Sequence, residues 1–102
     1  MSARDALFGA TLPEETVEVG GESVTVRGLT TAGRDVIELA VRSGESFRPA
    51  ILRATCYLDG SPLFGEDDEV SEIPAHVAEP LVNAAVRVSA MTVEETEELE
   101  GN

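Results

Sequence analysis

The side chains that most often carry catalysis are nearly missing from this sequence. It contains one histidine (His76), one cysteine (Cys56) and no lysine, while seven arginines face twenty carboxylates. Nucleophilic and acid–base catalysis usually place His, Cys or Lys beside a second reactive group, and zinc sites need several His or Cys ligands. We therefore predict no catalytic residue, no cofactor site and no metal site, and we expect a protein that is not an enzyme.

The residues that remain have plainer interpretations. Cys56 lies in an apolar helical context, which favours a buried structural thiol, and His76 falls on the polar side of a predicted helix. The acid run 66–69 has oxygen ligands but lacks the alternate spacing and central glycine of a calcium loop. Residue types alone do not exclude a carboxylate pair for glycoside hydrolysis, but the acids cluster on predicted turns and at one end of the chain.

Charge is spread unevenly along the 102 residues, whose net charge is −13. Residues 1–65 hold nine acids and six arginines, whereas residues 66–102 hold eleven acids and only Arg87. Such a surface repels nucleic acid and anionic lipid. No apolar run is long enough to span a bilayer, and no secretory signal is recognisable. We expect neither nucleic acid nor membrane as a partner, and the acids serve either solubility or a basic protein partner.

The N-terminal third predicts an arm followed by a β-hairpin. Residues 1–13 show no strong period, which indicates a flexible arm. Apolar and polar residues then alternate over 16–27 on both sides of Gly20-Gly21, a pair that accepts the positive φ of a two-residue turn. In that register Val17 lies opposite Val24. A lone hairpin is marginal in water, so its valine face must rest on helices or join another sheet.

Helical periodicity dominates the remainder and predicts helices over about 31–43, 47–58 and 73–91. Thr30 or Thr31 suits the first N-cap, and the acid run 66–69 is expected to open a short helix reaching Glu72. Pro80 predicts a kink or restart in the longest helix. The apolar stripe expected on the first helix consists of Val36, Ile37, Ala40 and Val41.

These patterns give one globular domain over 14–91 and an acidic end over 92–102. Thr92 and Glu95 form a capping box, but the segment carries five glutamates and few apolar residues, so this end is expected to be a weak helix or a tail. The predicted class is α+β, mainly α. Its expected order is an N-terminal β-hairpin, three to four packed helices and an acidic C-terminal tail.

The segments, taken in their order along the chain, resemble the short tail assembly chaperones of long-tailed phages and prophages. The resemblance covers about residues 14–100 and rests on an arrangement of motifs. They are the strand pair VEVGGESVTVRGLT, a Thr-capped helix with AGRD, a helix ending in Cys-x-Leu, the turn DGSPLF before an acid run, IPAHVAEPLVNAAVRVSAMT, and a glutamate-rich end.

The resemblance implies a function by non-covalent binding. Such chaperones keep the tape measure protein soluble in the host bacterial cytoplasm while tube subunits polymerise around it, and they are absent from the mature virion. Many also exist as a longer form made by ribosomal frameshift, whose added segment contacts the tail tube protein. The family has no catalytic motif. The implied partners are therefore the tape measure protein and, through a longer form, the tail tube protein.

Three groups of residues are candidates for binding a partner. Leu63 and Phe64 either plug the core or anchor a partner, and plugging is favoured. The stripe of the longest helix is either core, the favoured alternative, or a seat for a partner helix or for a second copy of the chain. The third group is acidic. In chain order the candidates are Leu63, Phe64, Val77, Leu81, Val88, Glu94, Glu95 and Glu98.

Other classes remain open at this point. A small virion structural protein, such as a head–tail connector or tail completion protein, has similar size and mixed α/β content but stays in the particle. An acidic DNA mimic would need carboxylates spaced along a rigid, elongated surface rather than gathered at one end. A hydrolase is the least favoured class because the sequence offers no evident catalytic set.

Overall fold

Helices cover about half of the protein. The computed structural model describes residues 2–101, so Met1 and Asn102, the outer ends of the predicted arm and tail, lie outside the described residues. Residues 2–101 form an α+β fold with about 52% helix, five α-helices and a four-stranded antiparallel sheet. The predicted α+β class is therefore confirmed.

The elements follow one another with short connections. The helices are α1 (Ala3–Phe8), α2 (Thr31–Arg42), α3 (Phe47–Thr55), α4 (Ala75–Val88) and α5 (Val93–Glu100). The strands are β1 (Glu14–Val19), β2 (Glu22–Arg27), β3 (Cys56–Leu58) and β4 (Ser61–Pro62). A single 3-10 turn, Val70–Glu72, precedes α4.

The sheet runs in the order β1-β2-β3-β4, and both of its turns use left-handed backbone. Val17 lies opposite Val24 in the first pair, and the φ angles of Gly20 and Gly21 are 57° and 84°. In the turn between β3 and β4, Asp59 and Gly60 have φ angles of 51° and 82°. Two consecutive positive φ values match the twist of antiparallel strands, so the DG turn joins β3 to β4 as a hairpin.

The prediction of helix through residue 58 is wrong, because α3 ends at Thr55 and the chain continues as β3. Cys56 pairs with Val26 of β2, and Thr55 donates its hydroxyl to the carbonyl of Ile51 at 2.7 Å. The run of residues 56–58 is too short to distinguish the apolar period of a helix from that of a strand. The open edge of β2, whose backbone groups need partners, decides in favour of strand.

The acid run does not open a helix, contrary to the sequence expectation. The carboxylate of Asp68 accepts from the backbone N–H of Gly65 at 2.7 Å, which closes a local turn. Arg53 donates to the carbonyl of Gly65 at 2.9 Å and to that of Asp68. Because the side chain and carbonyls of this run are already bonded, only the 3-10 turn at Val70–Glu72 forms.

The longest helix is shorter than predicted and unbroken. It occupies Ala75–Val88 rather than 73–91 and continues through Pro80, so the restart does not occur. Pro80 is exposed, which allows water to satisfy the carbonyl group that its ring leaves without a donor. At the start of α2, the Thr30 hydroxyl accepts from the Gly33 N–H at 3.0 Å and caps the helix.

The core lies between the sheet and helices α2, α3 and α4. Val36 is 62% exposed, so the expected stripe of α2 is wrong at this residue. One residue along a helix turns the side chain by about 100°, and Ile37 and Val41 face inward instead. The buried apolar residues are Val24, Val26, Ile37, Val41, Phe47, Ile51, Leu52, Cys56, Val70, Leu81, Val82, Ala84, Ala85 and Val88.

Both ends of the described chain form helices that bury no residue. Within the predicted arm, α1 exposes Leu7 and Phe8 by 77% and 79%, and Ser2 caps it by accepting from the N–H of Asp5. At the other end, α5 begins with the capping box of Thr92 and Glu95. Only Leu99 of α5 packs, half-buried, against the core.

Candidate functional site

Two clefts follow one side of α4. The first, of about 390 Å³, lies between the start of α3, the 3-10 turn and the start of α4. The second, of about 320 Å³, lies between α4 and α5. The apolar side chains of the first are Phe47, Pro49, Leu52, Val70, Ile73, Ala75 and Ala78. Those of the second are Val82, Val86, Met91 and Val93.

A cluster of three charged side chains separates the clefts and lines both of them. Arg48, at the start of α3, contacts Glu79 of α4 at 2.9 Å and Glu100 of α5 at 3.5 Å. All three side chains are at least one-third exposed, so the cluster stands at the surface and contributes little stability. The two clefts therefore share these three side chains as a common border.

The arginines near the clefts are already bonded within the protein. Arg87, which lines the second cleft, donates to both carboxylate oxygens of Glu15 on β1, at 3.0 and 2.8 Å. The hydrogen bond from Arg87 holds the pKa of Glu15 below its ordinary value. Arg53 is occupied by the carbonyls of the acid turn. Each of these cations therefore already donates to groups of the same chain.

Carboxylates outnumber the remaining cations at the rim. Glu97 lines the second cleft. Glu45 and Glu69 line a hollow of about 210 Å³ beside the first. Within residues 2–101 none of these three carboxylates forms an ion pair. The rim of the clefts therefore carries a surplus of negative charge over an apolar floor.

The wall formed by α5 is held by few contacts. It buries no residue, and ion pairs join two of its glutamates, Glu95 to Arg34 and Glu100 to Arg48. Its one half-buried apolar anchor is Leu99, beside Val41 of α2. Helix stability in proteins comes mainly from packing of an apolar face. The wall of the second cleft is therefore the least firmly packed helix apart from α1.

The candidate residues of the long-helix stripe do not form a common surface. Leu81 and Val88 are 3% and 6% exposed and belong to the core, whereas Val77 is half-buried at its edge. Leu63 and Phe64 are half-buried and pack against the core from the loop after β4. In this fold Leu81 and Val88 are not accessible to a partner.

The acidic candidates lie on α5. Glu94 is exposed in the first turn, Glu95 is bonded to Arg34 and to its own capping box, and Glu98 lines a small hollow beside α2. None of the three lines the two clefts along α4. The glutamates that do so are Glu79, Glu97 and Glu100.

Sequence reasoning missed most of the cleft residues. Arg48 was not singled out, and Val82 and Val86 are not among the candidates Val77, Leu81 and Val88 of the longest helix. A signal exists in retrospect, because α4 is apolar on more than one face: both Leu81 and Val82 are buried. A helix apolar around much of its circumference needs partners on several sides.

The two residues with the most reactive side chains, Cys56 and His76, lie on different elements, β3 and α4. Cys56 is fully buried, and burial raises the pKa of its thiol to about 11, so the thiol is protonated at neutral pH. His76 is exposed on α4. Within residues 2–101 no group of three or more His, Cys, Asp or Glu side chains is placed to hold a metal ion.

Comparison with known proteins adds no relative. No family model, no curated protein and no solved structure matches this chain. Among residues 2–101 no helix is long and apolar enough to cross a bilayer. Function must therefore be argued from the clefts, their charge and the motif resemblance.

Proposed function

We propose that this protein is a tail assembly chaperone that binds the tape measure protein and keeps it soluble by non-covalent contact. The observation that carries the proposal is the apolar depression along α4 with its acidic rim. The motif arrangement over residues 14–100 supports the same function by resemblance.

Binding a long helical client requires apolar surface and charge in the same molecule. The two clefts supply half-buried apolar side chains for the apolar stripe of a client helix, namely Pro49, Ile73, Ala78, Val86 and Met91. The net charge of −13 supplies repulsion between loaded complexes. An aggregation-prone chain covered by several such molecules would carry their negative charge and stay dispersed.

The action belongs to the cytoplasm of the host bacterium, before the tail is complete. In this proposal the chaperone leaves as tube subunits polymerise, and a longer form, where one exists, adds a segment that contacts the tail tube protein. Binding without any chemical step fits a chain whose single cysteine is buried and protonated.

Co-expression with a candidate tape measure protein tests the proposal directly. The candidate client is a long helix-rich reading frame, to be sought downstream of the gene, expressed with and without this chain. We expect the client to move from the pellet to the supernatant and to co-purify with the chaperone. A client that stays insoluble in the presence of excess folded chaperone would contradict the proposal.

Mass spectrometry of purified virions separates a chaperone from a structural tail component. A chaperone should be absent from mature particles and present in lysates of infected cells. Detection in the particle at ring stoichiometry would instead assign the protein to the head–tail connector or tail completion class.

A further inference from the structure

We infer that the two clefts along α4 act as one groove for a single amphipathic helix that carries basic residues. The groove consists of the clefts of about 390 and 320 Å³ and of the ridge between them, which is formed by Arg48, Glu79 and Glu100. The side chains that line it indicate the chemistry of the partner. The inference rests on the proposed function only in identifying that helix with part of the client.

Spacing along α4 matches the repeat of a helix. Ala78 lines the first cleft and Val86 lines the second, and both side chains are half-buried. Ala78 and Val86 are eight residues apart, which at 1.5 Å per residue is about 12 Å along the axis. Apolar residues at i and i+7 of a partner helix are about 10.5 Å apart. One helix lying along α4 therefore places one anchor in each cleft.

The ridge selects the residue between the two anchors. Glu79 and Glu100 both turn their carboxylates toward Arg48, with contacts of 2.9 and 3.5 Å. Two carboxylates around one guanidinium leave a net negative charge at the point where a helix would cross. A lysine or arginine at i+3 or i+4 of the partner meets that charge, whereas a glutamate there is repelled.

Charge around the groove extends the same preference. Glu97 on α5 and Glu45 and Glu69 beside the first cleft form no ion pair within residues 2–101. Arg87, the other cation at the second cleft, is held by Glu15 through two hydrogen bonds. The groove therefore complements a basic helix and disfavours an acidic one.

A designed peptide tests the groove without any knowledge of the client. The probe is a fluorescent helix of about three turns with leucine at i and i+7 and with lysines at i+3 and i+4 between them. Its matched partners replace every lysine by glutamate, or both leucines by serine at the same charge. We expect the Leu/Lys peptide to bind at least roughly tenfold more tightly than either, with its advantage over the glutamate peptide shrinking as salt is added.

Three exposed substitutions locate the binding. Ala75→Trp and Asn83→Trp place a large side chain at the first and second clefts, and Ala32→Trp places the same side chain in the first turn of α2, which lines neither. All three variants should fold, as checked by circular dichroism. The two cleft variants should weaken Leu/Lys binding by roughly tenfold, and Ala32→Trp should bind like the wild type.

The outcomes separate this inference from the proposed function. Equal binding of the lysine and glutamate peptides, or cleft variants that bind as well as Ala32→Trp, would overturn the groove even if the client is still made soluble. Selective peptide binding that both cleft variants weaken would establish the groove even if co-expression fails to make the candidate client soluble.

Discussion

Gly28 is the residue at which the sheet and α4 come closest. It follows β2, is buried, and donates its N–H to the carbonyl of Pro13 at 2.9 Å. A Cβ atom added to Gly28 would lie 2.3 Å from the carbonyl oxygen of Val88, at the end of α4. That oxygen belongs to the backbone and cannot turn aside as a side chain would. Only glycine permits this approach.

Gly28→Ala should therefore destabilise the protein by about 2 kcal/mol or more, because α4 must move away from the sheet. Urea unfolding followed by circular dichroism measures the change. Gly65→Ala is the matched control, since its added Cβ would lie 3.7 Å from the nearest atom, a carboxylate oxygen of Asp68. Equal unfolding midpoints for the two variants would show that the contact with α4 is not limiting.

Because of Cys56, the stability of the protein depends on pH in the alkaline range. Its pKa is raised from 9.0 to about 11, chiefly because burial disfavours the thiolate. The unfolded chain loses this proton first, so the contribution is intact below pH 9 and is lost as the pH rises toward 11.

We expect the wild type to lose stability between pH 9 and 11 relative to Cys56→Ala, which has no thiol to ionise. Chemical denaturation of both proteins across this range isolates the effect, because their other titrating groups are the same. A thiol reagent should react slowly with Cys56 in the native protein at neutral pH. The reaction should become faster when urea unfolds the protein. Parallel pH profiles for the two proteins would argue against a buried thiol.

Among the helices, α5 depends on charge more than on packing. Its ion pairs, Glu95 with Arg34 and Glu100 with Arg48, are partly exposed, and such pairs contribute about 1 kcal/mol or less each. α4, by contrast, buries five side chains. Local opening should therefore release α5 while the rest of the fold stays intact.

Hydrogen exchange with mass spectrometry should show α5 amides exchanging before those of α4. Arg34→Gln removes one ion pair and should speed exchange in α5 by up to roughly fivefold, the equivalent of about 1 kcal/mol. Arg27→Gln is the control, since Arg27 pairs with Glu14 at 2.7 Å in the sheet. If both variants leave α5 unchanged, the pair of Glu95 with Arg34 does not limit the opening of this helix.

For the molecule as a whole, a substitution at Leu81 distinguishes a core residue from an interface residue. It is 3% exposed, so a carboxylate at this position would be buried without a partner in a protein of 102 residues. Domains of this size have about 5–15 kcal/mol of total stability. A buried unpaired charge removes a large part of that.

Leu81→Asp should therefore fail to fold, as judged by circular dichroism and by loss of a cooperative unfolding transition. Leu39→Asp is the matched control, because Leu39 is 66% exposed on α2 and its substitution should change stability by no more than about 0.5 kcal/mol. A folded Leu81→Asp protein that no longer holds a client would instead place Leu81 in an interface.

Local patterns carry much of the secondary structure. The alternation around Gly20-Gly21 and the β1–β2 pair coincide, because a two-residue turn fixes the register of its own strands. The cap at Thr30 and the capping box at Thr92 also act within one helical turn. Such features depend on residues that are close together in the chain, so they can be predicted from the sequence.

Features that depend on distant neighbours were not predictable in this way. The strand at residues 56–58 exists because β2 offers an unpaired edge thirty residues earlier in the chain, with Val26 facing Cys56. The acid run forms a turn because Arg53 reaches its carbonyls from α3. Neither partner is close enough in sequence to alter the local period.

The amino-acid sequence by itself determined the α+β class, the excess of carboxylates and the scarcity of reactive side chains, because composition and short-range periodicity do not depend on how elements pack. Only the tertiary structure decided which apolar residues of α4 face the core and which line the clefts. That division depends on where α3 and α5 lie against α4, and on the ion pairs of Arg48 that join all three helices.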